Sequence, residues 1–419
     1  MFTLGAPTTV YFDALDQGPG NSRWTLTGPR GDEVVGRYFS QTDGPDLDAP
    51  VAMNLIAGTY EVRIFKDGAN TGAFGFRLLD LGAGTVVEVD EAFSVTLDPR
   101  TGGQALRFDA VAGDRLVLDT ASVAAPGAWY TPTYRLIDPW GREVIRNQSV
   151  VNANAFTVAH SGTFTLLIEG RIWDTAGTTT VNAALRPVVE ADRGALVPGE
   201  TATGTVPGPR GSETYSLTLT DETLLVFDSL LDSPDASLRI TGPGGVDRTF
   251  NMRTGDAANS SAAPLIRLAA GSYTLRLTGT NLTRPDYAFR LLYVAAATVI
   301  ARDEPVAGTL NPGTATALYA FEAQAGDIYT LANVVNTGAN WWENATFRLI
   351  DPFGRQHITS RQLEDQAPVT LPFAGTWLLL VEGRINHPAG GAVTYGFTLV
   401  DPQSPDTVAL TLDTRTTGT

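Results

Sequence analysis

The chain has 419 residues, of which 43% are hydrophobic and 18% are charged, and its formal net charge is −16. This surplus of carboxylates offers no cationic surface on which a polyanion could release its counterions, so nucleic acid is excluded as a partner. The absence of cysteine excludes disulfides, thiolate metal sites and cysteine nucleophiles.

Alternation of apolar and polar residues predicts β-strands throughout the chain, because successive side chains of a strand point to opposite faces. In chain order, the first predicted strands lie in WTLTGPRG (24–31), GTYEVRIF (58–65), FGFRLL (74–79), YRLIDPWG (134–141) and GTFTLLIEG (162–170). Proline and glycine in GPRG, DPWG, GPGG and DPFG predict tight turns between them. Short strands broken by regular turns are typical of antiparallel β-sandwiches.

The sequence repeats itself at a spacing of 213 residues. TYRLIDPWGREVI at 133–145 returns as TFRLIDPFGRQHI at 346–358, with nine identities in thirteen positions. Each unit contains two related halves, which we call A and B. We therefore predict an all-β chain of four tandem sandwiches: a first A segment (1–88), a first B segment (89–190), a second A segment (191–301) and a second B segment (302–403).

The B segments share short motifs with a known family. Gly113-Asp114, Asp138–Gly141 and Gly162–Phe164 have counterparts at Gly326-Asp327, Asp351–Gly354 and Gly375–Trp377. These motifs resemble the bacterial pre-peptidase C-terminal domains. The A segments depart from the pattern, since TDE at 220–222 replaces Ala-Gly-Asp. The resemblance implies small jelly-roll-like sandwiches that are secreted, non-catalytic and in some cases repeated in large surface proteins.

Residues 404–419 predict the opening strand of a further A unit. DTVALTLDTRTTGT at 406–419 matches DRGALVPGETATGT at 192–205 at six of fourteen positions, whereas the first A segment begins at the next strand and is expected to lack this one. Three interpretations stay open. The sequence boundary ignores the domains, the strand completes the first A segment of another copy, or it closes a ring within one chain.

Paired aromatic residues precede the same predicted strand in the two B segments, namely Trp129-Tyr130 and Trp341-Trp342. Flat rings on a sandwich loop stack on sugar faces or seat apolar groups of a partner. The competing interpretation is a lid over the end of the sandwich or an inter-domain contact, because tryptophan buries well.

Catalytic signals are absent from the sequence. His160, His357 and His387 do not recur at the 213-residue spacing, and no nucleophile motif accompanies them. Asp43, Asp46 and Asp48 are the candidate calcium ligands, but they lack a recognised calcium-loop spacing, and we otherwise expect no cofactor. The repeated triplets Glu169-Gly-Arg171 and Glu382-Gly-Arg384 are interpreted as local salt bridges or solvated strand edges, or else as a functional pair.

These observations predict a structural or adhesive repeat module of a secreted or cell-surface protein, without enzymatic activity. No apolar run reaches the roughly 18 residues that span a bilayer, so membrane insertion is not expected. The expected partners are neighbouring domains or other copies of the chain. The alternatives are a carbohydrate-binding array that uses the B-segment tryptophans, and a head-to-tail polymer assembled by donation of the strand at 406–419.

Overall fold

The computed structural model describes residues 1–42, 50–66, 72–173, 177–256, 262–338, 340, 342–387 and 391–402. In these ranges the regular elements are β-strands and three-residue 3-10 helices, which confirms the all-β fold class. None of those helical turns has the length or the apolarity to cross a membrane. The 3-10 helices are Phe39–Gln41, Leu81–Ala83, Ala128–Tyr130, Pro243–Gly245 and Val294–Ala296.

The chain forms two compact units. The first comprises Met1–Val189 with Gly208–Gly211 and Asn281–Thr283, and the second comprises Glu190–Pro207, Ser212–Thr280 and the residues from Arg284 onward. The division into four domains at the boundaries given above, and their tandem arrangement, stay predictions.

The strands of the first unit are β1 (Phe2–Leu4), β2 (Thr8–Ala14), β3 (Arg23–Gly28), β4 (Gly31–Tyr38), β5 (Ala52–Leu55), β6 (Gly58–Phe65), β7 (Phe76–Asp80), β8 (Thr85–Val86), β9 (Ala92–Leu97), β10 (Gly103–Ala110), β11 (Arg115–Ala124), β12 (Thr133–Ile137), β13 (Glu143–Ser149), β14 (Phe156–Thr157), β15 (Gly162–Glu169) and β16 (Thr179–Pro187). They form the sheets β1-β6-β3-β4 and β5-β2-β7, followed by β13-β12-β15-β10-β8 and β14-β11-β16-β9.

The strands of the second unit are β17 (Glu190–Ala195), β18 (Ala202–Thr205), β19 (Ser212–Leu219), β20 (Thr223–Ser229), β21 (Ala236–Gly242), β22 (Val246–Asn251), β23 (Leu265–Leu268), β24 (Gly271–Gly279), β25 (Asp286–Tyr293), β26 (Thr298–Val299), β27 (Pro305–Leu310), β28 (Thr316–Ala323), β29 (Ile328–Asn336), β30 (Thr346–Ile350), β31 (Gln356–Gln362), β32 (Val369–Thr370), β33 (Gly375–Glu382) and β34 (Val393–Val400). Their sheets are β17-β19-β24-β21-β22, β18-β25-β20-β23, β26-β28-β33-β30-β31 and β27-β34-β29-β32.

The strand orders follow one jelly-roll plan. If β9 to β16 of the first B segment are numbered one to eight, one sheet has the strand order 5-4-7-2, with β8 added beside strand two, and the facing sheet has the order 6-3-8-1. The eight strands that begin at β18 and the eight that begin at β27 have the same two orders. In the first A segment, the sheet β5-β2-β7 corresponds to strands six, three and eight, so β7 has a described partner only in β2. The pairing is antiparallel except where β8, β17 and β26 join parallel to β10, β19 and β28.

Local sequence explains the turns. In DPWG, Asp138 accepts hydrogen bonds from the backbone N–H groups of Trp140 and Arg142, each at 2.9 Å, while Gly141 takes a positive φ of 74°. In DPFG, Asp351 accepts from Phe353 and Arg355 with the same distances. In both turns the aspartate side chain accepts hydrogen bonds from the backbone of its own turn, and the glycine adopts a positive φ without strain because it has no Cβ. Residues within the turn are therefore enough to determine its conformation.

Alternation predicts burial correctly on some strands and incompletely on others. In β24, Tyr273, Leu275 and Leu277 are buried and Thr274 is exposed, as expected for a strand with one wet face. In β15, however, every residue from Leu166 to Glu169 is buried. The second face of β15 is covered by another sheet of the same unit, and that contact contains the candidate site.

Candidate functional site

Each unit contains an apolar contact between its A and B segments. In the first unit, the sheet β5-β2-β7 packs on the outer face of the sheet that contains β10, β12 and β15, through the buried residues Tyr11, Val51, Leu81, Ala105, Ile137 and Leu167. In the second unit, the corresponding contact buries Val226, Ala320, Ile350, Leu378 and Leu380. We call this contact the A–B joint. Burial of apolar area on both sides stabilises it by about 25 cal/mol per Å².

A charged network lies inside the joint of the first unit. Arg135 on β12 donates from Nε to Glu169 at 2.8 Å and from Nη1 to Glu143 at 3.2 Å, and all three side chains are excluded from solvent. Tyr11 of the A segment donates its hydroxyl to Glu169 at 3.0 Å. The backbone N–H groups of Val51 and Ala52 donate to Glu143, the latter at 3.0 Å. The B-segment carboxylates are thus hydrogen-bonded by the A segment.

The second unit repeats the network with one substitution. Arg348 donates from Nε to both carboxylate oxygens of Glu382 at 2.8 Å, and both residues are fully buried. Gln356 stands where the first unit has Glu143, and its amide oxygen accepts from Arg348 at 2.8 Å. Arg348 also donates to the backbone oxygen of Ala262 in the A segment, at 2.8 Å.

A second ion pair recurs beside the first. Asp13 on β2 accepts from Arg77 on β7 at 2.5 Å and from the backbone N–H of Gly103 at 2.9 Å. In the second unit, Asp228 on β20 accepts from Arg290 on β25 at 2.5 and 2.9 Å. Each aspartate is completely buried. Beside the enclosed Arg–Glu contact, each unit therefore has a buried aspartate that is paired with a partly exposed arginine.

Burial dominates the titration of these carboxyl groups. Loss of hydration raises the pKa of Asp13 and that of Asp228 from 3.8 to about 6, although Arg77 and Arg290 oppose the rise. Loss of hydration also raises the pKa of Glu382 from 4.5 to about 7 against the attraction of Arg348, and the charge of Asp228 adds to the rise. The described residues contain no cluster of three or more His, Asp or Glu side chains suited to a metal ion.

The Glu-Gly-Arg triplets differ from the expectation of solvated strand edges. Glu169 and Glu382 point into the joint, and the arginine of each triplet turns elsewhere: Arg171 donates to the backbone oxygen of Thr131 at 3.0 Å and Arg384 to that of Asn344 at 3.3 Å. The intervening glycine is required because a Cβ on Gly170 would lie 1.7 Å from the backbone oxygen of Arg100. The triplet is a structural motif of the joint.

The B-segment aromatics are exposed where the structure describes them. Trp129 lies in the 3-10 helix between β11 and β12 and is 87% exposed, and Tyr130 beside it is 39% exposed. Trp342 is 43% exposed. Trp341 lies outside the described residues, as do the calcium candidates Asp43, Asp46 and Asp48. Exposure of this extent means that Trp129 is not a lid on its own sandwich.

The three histidines have different surroundings. His160 makes an edge-to-face contact with Trp140 at 4.9 Å, and His357 makes one with Trp377 at 5.2 Å. The backbone N–H of His387 donates to the oxygen of Arg384 at 2.8 Å. The contacts of His160 and His357 are with aromatic rings, so these side chains act as packing groups.

Both units contain a surface cluster of an aromatic ring and an arginine that the sequence did not lead us to predict. Trp140 is 56% exposed with Arg142 over its ring at 5.0 Å, and Phe353 is 61% exposed with Arg355 over its ring at 5.0 Å. Beside the first of these clusters, the edge strands β13 and β14 border an open pocket of about 410 Å³ whose lining includes Ile145, Phe156, Phe164 and His160. The signal was available, because Trp140 and Phe353 occupy the same position of the 213-residue repeat.

No protein-family model and no curated protein matches the chain. Among solved structures, the CUB1-EGF-CUB2 domains of rat MASP-1 are similar over 49% of this chain and 99% of that chain, at 7% identity and a TM-score of 0.17. Tripeptidyl peptidase 2 is similar over 98% of this chain and 37% of that chain, at 11% identity and a TM-score of 0.18. Vicilin from hazelnut, Corylus avellana, is similar over 48% and 74% respectively, at 10% identity and a TM-score of 0.16. Likenesses this low assign neither a family nor an activity.

Proposed function

We propose that the chain is a non-catalytic structural repeat module of a secreted or cell-surface protein, in which each A–B pair is one stiff segment of a stalk or scaffold. The observation that carries the proposal is the A–B joint, with its buried Arg135–Glu169 pair and the equivalent Arg348–Glu382 pair. Opening of the joint would expose its apolar contact and break the hydrogen bonds that the A segment makes with the buried pair, such as the one from Tyr11 to Glu169. A hydrogen bond to a charged group contributes about 1.5–3 kcal/mol.

The lack of cysteine, the acidic surface and the resemblance of the B segments to pre-peptidase C-terminal domains support a location outside the cell. Labelling of intact source cells with antibodies against the chain tests the location. Signal that appears only after cell lysis, with none in the medium, would overturn this part of the proposal.

Single-molecule force spectroscopy of the whole chain tests the mechanical role. We expect each A–B pair to lengthen only when a sandwich unfolds, because the joint resists separation. Early extension at low force, before any sandwich unfolds, would contradict the stalk model. Arg348→Met is the informative variant, since it should introduce such a low-force step in one unit while the joint of the other unit stays intact.

A second function, carbohydrate binding, is favoured by one specific observation. Trp129 presents 87% of its surface to solvent beside Tyr130, the arrangement that stacking on a sugar face requires. Binding of Trp129→Ala and Trp342→Ala to a glycan array tests this function. Trp140→Ala is the matched control, because Trp140 is also exposed, at 56%, but follows β12, whereas Trp129 precedes that strand. Binding that is lost in the first two variants and kept in the control supports a glycan platform.

A further inference from the structure

The first B segment has an open pocket in the side of its sandwich, where β13 and β14 are the edge strands of the two facing sheets. Its floor belongs to the apolar core and includes the buried residues Leu136, Val158 and Phe164. Its volume of about 410 Å³ lies within the range of about 300–1,000 Å³ that is typical of small-ligand sites. The lining lies within residues 72–173, whereas the strand predicted at 404–419 lies outside the described residues.

Two exposed nitrogen-bearing side chains, Arg142 and His160, line the rim of this pocket. Trp140 contacts both of them, with Arg142 over the indole ring at 5.0 Å and the ring of His160 edge-to-face with it at 4.9 Å. Arg142 uses Nε and Nη2 for its pair with Asp138. Within the part of the chain that the structure describes, Nη1 of Arg142 and the imidazole nitrogens of His160 make no hydrogen bond. The rim therefore offers two N–H donors that are positioned by one aromatic ring.

The two carboxylates in the lining, Asp138 and Glu143, are already hydrogen-bonded. Asp138 is buried and accepts from the backbone N–H groups of Trp140 and Arg142 as well as from the Arg142 side chain. The carboxylate of Glu143 is excluded from solvent and pairs with Arg135 inside the A–B joint. A pocket with an apolar floor and N–H donors on its rim is complementary to a molecule with an apolar body and a negatively charged end.

The second B segment fills the same place with aromatic rings. Trp377 stands where the first B segment has Phe164 and is fully buried, and Phe373 replaces His160. The larger ring and the lost donor both act against a ligand of the kind that the first pocket fits. The space that remains there is about 30 Å³, and its lining includes the residues 213 positions after Leu136, Ile145, Phe156 and Val158, namely Leu349, Ile358, Val369 and Leu371.

We propose that the pocket of the first B segment binds a small aromatic carboxylate, whose ring enters between β13 and β14 and whose carboxylate accepts hydrogen bonds from Arg142 and His160. The rings of Phe156 and Phe164 in the lining favour an aromatic body, because aromatic pairs gain more than the burial of their area alone. Charge-assisted hydrogen bonds at the rim fix the orientation of the ligand. This binding activity goes beyond the structural role proposed above and does not depend on it.

Isothermal titration calorimetry of the whole chain with naphthaleneacetate tests the site. Naphthaleneacetamide is the matched neutral probe, because it keeps the ring and replaces the carboxylate by an amide of similar shape. We expect a single naphthaleneacetate to bind per chain, and the amide to bind more weakly by about tenfold or more, since it cannot make charge-assisted bonds with the rim. Absence of binding at millimolar naphthaleneacetate overturns the proposal, and so does equal affinity for the two probes.

Two variants copy the second B segment into the first. Phe164→Trp should abolish binding by filling the floor, and His160→Phe, a change at an exposed position, should weaken binding by about tenfold. Arg142→Met should weaken it to a similar extent, whereas Arg355→Met, the same change in the second unit, should leave it unchanged. Unchanged affinity in both Phe164→Trp and His160→Phe overturns the assignment of the site, and so do equal losses in the two arginine variants. None of these outcomes affects the force and labelling tests of the structural role.

Discussion

Arg135 and Glu169 are 34 residues apart in sequence and meet at 2.8 Å, fully enclosed between the A and B segments of the first unit. The second unit makes the same enclosed pair between Arg348 and Glu382. The same buried pair thus occurs in both units, 213 residues apart, as part of the contact between the A and B segments.

Removal of one partner of the pair should be far more damaging than removal of both. Arg348→Met leaves Glu382 buried without its cation and should lower the free energy of unfolding by about 3–5 kcal/mol. Arg348→Met combined with Glu382→Leu should recover most of that loss. Urea unfolding followed by tryptophan fluorescence measures both values. Arg239→Met is the control, because both members of its pair with Asp247 are exposed and the pair should contribute less than about 1 kcal/mol. Equal losses in the single and double variants would contradict the role of the pair.

The buried carboxyl groups predict stability that decreases as the pH rises. Asp228 and Glu382 have pKa values of about 6 and about 7 in the folded protein, against 3.8 and 4.5 ordinarily. Between about pH 4 and pH 7 these two groups therefore hold more protons in the folded chain than in the unfolded chain, and their contribution to the free energy of unfolding falls across this window. Denaturant midpoints across that range measure the slope.

Asp228→Asn removes one of these titrating groups and should flatten the dependence. Asp351 provides the opposite case, because hydrogen bonds from Arg355 and Phe353 outweigh its burial and lower its pKa. Its contribution is present above its ordinary pKa and is lost as the pH falls. A slope that is unchanged in Asp228→Asn would show that the carboxyl of Asp228 does not titrate in this window.

The glycine of the repeated triplet should not tolerate a side chain. A Cβ on Gly383 would lie 1.8 Å from the backbone oxygen of Gly313, so Gly383→Ala must displace backbone and should cost about 3 kcal/mol or more. Gly326→Ala is the matched control. Its φ is 95° with open space around it, so only the strain of about 1–2 kcal/mol is expected. Thermal or urea unfolding of the two variants distinguishes close approach from conformational strain, and equal losses would remove the argument from close approach.

The exposure of Trp129 predicts a variant that folds normally. Trp129→Ala should change the free energy of unfolding by no more than about 0.5 kcal/mol, since the ring packs on little. Trp377→Ala, at a position with 0% exposure, should cost about 3–5 kcal/mol. Calorimetry of both variants separates a surface ring from a core ring. A large loss in Trp129→Ala would restore the interpretation as a lid.

The strands and turns could be predicted from the sequence because residues close together in the chain determine them. Alternation located Tyr273, Leu275 and Leu277 correctly, and the capped DPWG turn follows from Asp138 and Gly141 alone. The joint depends on contacts between distant segments, so alternation could not locate it. One clue was present: the continuous apolar run Leu378–Val381 departs from period two, as expected for a strand covered on both faces.

The candidate site was less predictable than the fold. Arg135 and Arg348 lay within the recognised repeat, yet a charged residue inside an apolar strand reveals its partner only after the chain has folded. The exposure of Trp129 likewise depends on which surfaces the loop between β11 and β12 contacts. The calcium prediction at Asp43, Asp46 and Asp48 and the role of Trp341 lie outside the described residues, so they stay predictions.

Burial of β15 and β33 on both faces determines the order in which the strands of each unit can open. The amides of these strands are hydrogen-bonded to neighbours on either side, and β15 lies between β10 and β12 just as β33 lies between β28 and β30. Edge strands can fray without disturbing either core, but β15 cannot open unless the sandwich and the A–B joint are both disrupted. In deuterated solvent, the backbone protons of Leu166–Ile168 and Leu378–Val381 should therefore be among the last to exchange.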